Sequence, residues 1–179
     1  MPATLPSQHL TLQSFGDISR FLREGVADEE SRQLRDSLGA LSTHIEEAVR
    51  ARRTSTDTLV IAQRAAALEQ CAREHQLFLT GLGSAWHALY ELGAYERALR
   101  ELRNVIADWQ QMLERRSPKE SASFDQFELL AWRTLGEALL LIDMYEHQSY
   151  PPSDLQDRAP PRKLSVLQRA SAWFRRWRR

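Results

Sequence analysis

The sequence predicts an all-α protein: an antiparallel bundle of about five helices with long coiled-coil-like members, plus a separate C-terminal amphipathic helix. Three observations carry this expectation. Apolar residues recur at spacings of three and four along most of the chain's 179 residues. The alternation expected of strands is absent from every window of useful length. One stripe holds a 3.5-residue period for about four heptads, the pattern of helices packed side by side. The chain then divides into an N-terminal segment, 1–13, expected to lack structure; a helical bundle, 14–150; a proline-containing linker, 151–162; and a basic amphipathic tail helix, 163–179.

Each element has its own signals. Ser14-Phe15-Gly16-Asp17 can start a short first helix that buries Ile18, Phe21 and Leu22 and stops near Gly25. A second helix is expected from Asp28, whose carboxylate can cap free N–H groups while Glu29 and Glu30 suit the positive end of the dipole. Its stripe is Leu34, Leu38, Leu41, Ile45 and Val49, and Arg50, Arg52 and Arg53 close it. Thr54-Ser55-Thr56-Asp57 offers caps for a third helix with Ile61, Ala65, Leu68, Ala72, His75, Leu79, Leu82, Trp86 and Leu89 in one register, which Gly81 and Gly83 can kink or interrupt. Gly93 reads as its C-cap. A fourth helix carries Leu99, Leu102, Ile106, Trp109 and Leu113 and ends at Ser117-Pro118; Ser121 or Ser123 caps a fifth, with Phe127, Ala131, Leu135, Ala138, Ile142 and Tyr145, reaching about Tyr150. Such helices are rods of roughly 30 to 50 Å. Gly93–Leu99 is similar to the turn and second-helix start of a tetratricopeptide repeat, and Trp132–Leu139 resembles its first helix. The two pieces do not keep the family's period of about 34 residues, and neither has its partner half, so the sequence is assigned to no family.

Net charge is zero, with 24 Lys+Arg against 24 Asp+Glu, but the sum hides a partition. Residues 158–179 hold eight basic and no acidic residues, which leaves a net charge of −8 on the rest. An acidic body with a basic tail implies a tail with its own target. On a helical wheel Val166, Leu167, Ala170, Trp173, Phe174 and Trp177 share one arc, and Arg169, Arg175, Arg176, Arg178 and Arg179 lie outside it. Indole rings at a headgroup boundary with guanidinium groups on lipid phosphates would use such a surface, so Arg169, Trp173, Phe174, Arg175, Arg176, Trp177, Arg178 and Arg179 are the candidate binding residues. The same residues suit docking on the protein's own acidic body or in a partner's groove. Nucleic acid is the third target, ranked last because the acidic body repels it.

The remaining motifs argue against chemistry. The single cysteine, Cys71, excludes an intramolecular disulfide and fits a reducing compartment. No secretory leader follows Met1-Pro2-Ala3-Thr4, and the longest aliphatic run, Ala138–Ile142, is far short of the roughly 20 residues a bilayer needs. None of His9, His44, His75, His87 and His147 has metal-ligand spacing, and Glu137, Asp143, Glu146 and His147 do not form the Glu-x-x-His of di-iron bundles. Cys71 and His75 sit one turn apart, but His75 occupies a core position, where a histidine bonded across a helix interface is the expected state. Trp86, Trp109 and Trp132 read as core, and Arg97, Arg100 and Arg103 as a solvated face with local ion pairs. The sequence thus predicts no enzyme, metal or cofactor. It predicts a cytoplasmic helical adaptor, peripheral at a membrane, with a protein partner; self-association is compatible with it. The alternative is a cytosolic regulatory or chaperone-like protein whose tail is a clasp or handle.

Overall fold

The computed structural model describes Phe15, Ile18 and Leu22 and the backbone of residues 29–149, with side chains through Glu146. Five helices pack against one another: α1 (Glu29–Thr54), α2 (Thr58–Thr80), α3 (Ser84–His87), α4 (Tyr90–Glu114) and α5 (Glu120–Ser149). No strand occurs among the described residues. The expected N-terminal segment, the 151–162 linker and the tail helix with Arg169, Trp173, Phe174, Arg175, Arg176, Trp177, Arg178 and Arg179 lie outside the described residues. So do Phe21, Gly25 and Asp28.

Cross-helix side-chain pairs define the architecture. Glu47 meets Arg64 at 3.1 Å and Ser37 meets His75 at 2.6 Å, so α1 and α2 run in opposite directions. Glu69 with Arg103 and His75 with Tyr95 reverse α4 against α2. Glu101 with Arg133 and Trp109 with Glu120 reverse α5 against α4. Arg52 with Glu120 and Arg35 with Glu146 close the ring between α1 and α5. Short turns between long amphipathic helices dictate this up-and-down order, because each apolar stripe can be buried only against its immediate neighbours.

The expected stripes form the core. Leu34, Leu38, Leu41 and Ile45 of α1, Ala65, Leu68 and Leu79 of α2, Leu99, Ile106 and Trp109 of α4, and Phe127 and Leu135 of α5 are buried. Phe15, Ile18 and Leu22 are buried helical positions in the same cluster. Phe15 stacks on Trp132 of α5 with ring centroids 4.0 Å apart, and its carbonyl accepts from Ser42 Oγ of α1 at 2.9 Å. Phe15 thus touches both α1 and α5, which meet less extensively than the other neighbours in the ring.

Several boundaries differ from the sequence expectation. The third predicted helix does not run on to Leu89. It stops at Thr80, Gly81 caps it, and Gly83 opens the one-turn helix α3. Leu82, Trp86 and Leu89 are still buried, because the turn returns them to the core side. Gly93 is not a C-cap; α4 starts at Tyr90 and Gly93 lies in its first turns. Ser121 and Ser123 do not cap α5, which begins at Glu120, and Ser117 Oγ instead accepts from the Lys119 N–H. Asp57 does cap α2, accepting from the Leu59 N–H at 2.9 Å. The end of α4 forms without glycine: Ser117 N–H reaches Met112 O, Arg116 N–H reaches Leu113 O, and Arg116 takes φ 48°. That is a Schellman ending with arginine in the left-handed position.

Candidate functional site

Among the described residues, the groups with chemistry gather in one buried cluster. His75, 1% exposed, projects from α2 between two hydroxyls: Nδ1 lies 2.6 Å from Ser37 Oγ of α1 and Nε2 lies 2.5 Å from Tyr95 OH of α4. A neutral imidazole donates from one nitrogen and accepts at the other, and a hydroxyl can do either, so both ring nitrogens are satisfied and three helices are tied together. Burial holds His75 down to about 4 and pushes the Tyr95 phenol well above its ordinary value. Cys71, one turn away and half-buried, is pushed up to about 11 by burial and then by the Glu74 carboxylate. A thiol so placed is a poor nucleophile, and a histidine so placed is a poor base near neutral pH. The expected cross-helix histidine is therefore present; its partners Ser37 and Tyr95 had no signal in the sequence, because periodicity does not identify what stands opposite a residue.

This cluster makes stability depend on pH in a defined window. The unfolded chain protonates His75 below about 6.5, whereas the native state resists until about 4, so its contribution is complete above the first value and is lost as pH falls toward the second. The loss amounts to about 3 kcal/mol by pH 4. Native Glu69 and Glu120 are held below the usual carboxylate value: burial works against their charge, but hydrogen bonds from Arg73 and Arg103, and from Arg52 and Trp109, outweigh it. Their stabilisation is lost only at lower pH, below about 4.5. Urea denaturation of wild type and His75→Gln at pH 7 and pH 5 should show a steeper fall for wild type. Parallel falls would remove His75 from the account.

Ion pairs sit at both ends of the bundle. Arg52 grips Glu120 through Nε at 2.7 Å and Nη2 at 2.8 Å, and Trp109 Nε1 donates to the same carboxylate at 2.7 Å. At the opposite end, Arg35 holds Glu146 with two hydrogen bonds while Ser31 Oγ adds a third. Trp86 stacks on Tyr145 at 3.6 Å and donates to Glu30. The basic row on α4 is only in part the solvated face of local pairs that its spacing suggests. Arg103 leaves the row to bridge to Glu69 and Gln76 on α2, and Glu101 pairs across to Arg133 on α5, while Arg97 and Arg100 stay exposed.

The outer side of α2 exposes apolar side chains. Leu59 and Leu77 are 65% and 66% exposed, and Gln63, Ala66 and Gln70 lie between them at spacings of four and three. Arg73 also lies on this line, tied to Glu69 at 3.0 Å. The signal was in the sequence, as apolar residues off the buried stripe of the same helix. Two open clefts of about 230 and 380 Å³ flank the α1–α2 turn, the first lined by Glu47, Ala51, Val60 and Arg64, the second by Arg52, Thr58, Met112 and Arg116. No group of three His, Cys, Asp or Glu side chains suited to a metal ion, and no helix long and apolar enough to cross a membrane, occurs among the described residues. Compared with known proteins, the chain matches no family model, no curated sequence and no solved structure.

Proposed function

We propose that the chain is a non-enzymatic helical adaptor: its bundle holds a protein partner, and residues 163–179 attach the pair to an anionic membrane surface on the cytoplasmic side. The observation that carries this is the composition of the tail. Trp173, Phe174 and Trp177 fall within five residues and share an apolar arc with Val166, Leu167 and Ala170, while the arginines occupy the rest of the circumference. Each basic residue near an anionic leaflet contributes about 1 kcal/mol, and ring insertion adds an apolar term that salt does not screen.

The body supports the adaptor half of the reading. α2 is its coiled-coil-like member, with one heptad line buried and a second, running from Leu59 to Leu77, open to a partner helix. His75 is buried in the core and Cys71 is half-buried against it, and burial holds both away from their reactive forms. Co-flotation tests the reading: purified full-length chain should float with phosphatidylserine-containing vesicles at low salt, and Trp173→Ala/Phe174→Ala/Trp177→Ala should lower partitioning at least tenfold. If wild type stays with the soluble fraction at low salt, the membrane reading is wrong. A gel shift of RNA dependent on Arg175 and Arg176 would move the tail to nucleic acid.

A further inference from the structure

The exposed line of α2 has an internal symmetry that bears on what it pairs with. Leu59, Gln63, Ala66, Gln70, Arg73 and Leu77 follow one another at spacings of four, three, four, three and four, an a/d period on the side of the helix away from its buried stripe. All six are exposed, and the leucines that end the line are 65% and 66% exposed. The spacings read the same from either end. Leu59 and Leu77 stand nine residues to either side of Leu68, Gln63 and Arg73 five, and Ala66 and Gln70 two. A two-fold interface brings residue i of one copy against j of the other and j against i, so a helix that pairs antiparallel with its own copy needs compatible residues at equal distances from the axis. A different partner imposes no such symmetry.

We infer that α2 packs antiparallel on α2 of a second copy, about a two-fold axis at the level of Leu68; this rests on the reading of that line as a partner-binding face and names the partner. Leucine then meets leucine at both ends. Val60, 38% exposed, lies beside Leu59 on the side toward α1, and half-buried Phe78 lies five turns further along the same side. Each end therefore closes as a cluster of Leu59 and Val60 from one copy with Leu77 and Phe78 from the other. Between the ends, Arg73 stands level with Gln63, whose amide oxygen can accept from it, and Ala66 stands level with Gln70, small against long. Charge permits the approach although residues 1–157 carry a net −8, because the line and its flanks set Arg64 and Arg73 against Glu69 and Glu74. The axis keeps like flanks together. On the α1 flank, where Arg64 meets Glu47, Arg64 of one copy stands about 3 Å along the helix axis from Glu74 of the other. Within one copy Glu74 accepts from Gln70 at 2.7 Å and has no ion pair among the described residues. Arg73 falls on the opposite flank from Arg64, toward α4, and Glu69 beside the axis there already holds Arg73 and Arg103. The seam is one helix wide, so association is expected to depend on concentration.

Sedimentation and cross-linking of the full-length chain test this. Wild type should double its mass as concentration rises. Leu59→Lys/Leu77→Lys sets ammonium groups against each other at both ends of the seam and should stay monomeric where wild type is dimeric, with unchanged far-UV circular dichroism because both positions are exposed. In chains that also carry Cys71→Ser, an equimolar mixture of Leu59→Cys and Leu77→Cys should form an interchain disulfide at least tenfold faster than either chain alone. The antiparallel pair brings position 59 of one copy to 77 of the other, whereas two copies of the same position stand about 27 Å apart along the helix axis. Either chain alone cross-linking as fast as the mixture overturns the antiparallel pair. Wild type that remains monomeric up to its solubility limit overturns the second copy as occupant. The membrane reading is decided separately: a dimer that does not float with anionic vesicles keeps this interface and removes the membrane attachment, and a monomer that floats does the reverse, leaving the line to a different partner.

Discussion

Glu146→Ala is expected to destabilise the bundle by about 3 to 5 kcal/mol, a large share of what a domain of this size has to lose. Arg35 is 6% exposed, and its guanidinium meets the Glu146 carboxylate twice, at 2.9 and 2.8 Å. Removing the carboxylate takes two charge-assisted hydrogen bonds from a buried guanidinium and an acceptor from Ser31 Oγ, itself fully buried. The cost arises from desolvation of what remains, so it exceeds the net worth of the pair. Arg35→Met/Glu146→Leu, which removes both charges and keeps the volume, should recover to within about 1 kcal/mol of wild type. Denaturant titration of the two variants decides the matter. A single variant that loses under about 1 kcal/mol would show that solvent screens the pair as it does a surface ion pair.

That pair also shows which parts of the fold were legible in the sequence. The stripes of α1, α4 and α5 and the Asp57 cap could be read directly, because burial imposes a period and a helix start needs an acceptor. Arg35 could not. It lies beside the stripe of α1 in a run of charged residues, and nothing in the local pattern marks a partner 111 positions away. The same limit applies to Ser37 and Tyr95 around His75, and to Arg103, which reaches α2 from a row that reads as solvated. Periodicity records which residues are buried and is silent on whether the backbone ladder between them is continuous. Leu82, Trp86 and Leu89 keep the register of α2 although Gly81 and Gly83 break the helix ahead of them. The candidate interaction surfaces divide in the same way. The tail's arc depends on its own residues and can be read alone, whereas a surface shared by two helices, such as the cleft between α1 and α2, exists only when the two are paired.

Trp109→Ala is expected to cost about 3 to 5 kcal/mol, and its comparison with Trp109→Phe separates two contributions at the other end of the bundle. The ring is fully buried on α4, stacked on Phe127 with centroids 5.0 Å apart and tilted against Phe124 at 5.3 Å. Its Nε1 donates to Glu120 at 2.7 Å, the carboxylate that Arg52 also holds and whose first-turn position suits the dipole of α5. Alanine leaves a cavity beside two aromatic neighbours, Phe124 and Phe127, and removes the donor as well. Phenylalanine keeps most of the stacking and removes only the donor. Glu120 then retains Arg52, so the carboxylate is not orphaned and the phenylalanine variant should lose about 1 to 2 kcal/mol. Guanidinium denaturation measures both. If phenylalanine costs as much as alanine, the indole N–H contact with Glu120 governs how α4 and α5 close around Arg52. If alanine costs under about 2 kcal/mol, the helix ends collapse into the space, and the aromatic cluster contributes less than its burial implies.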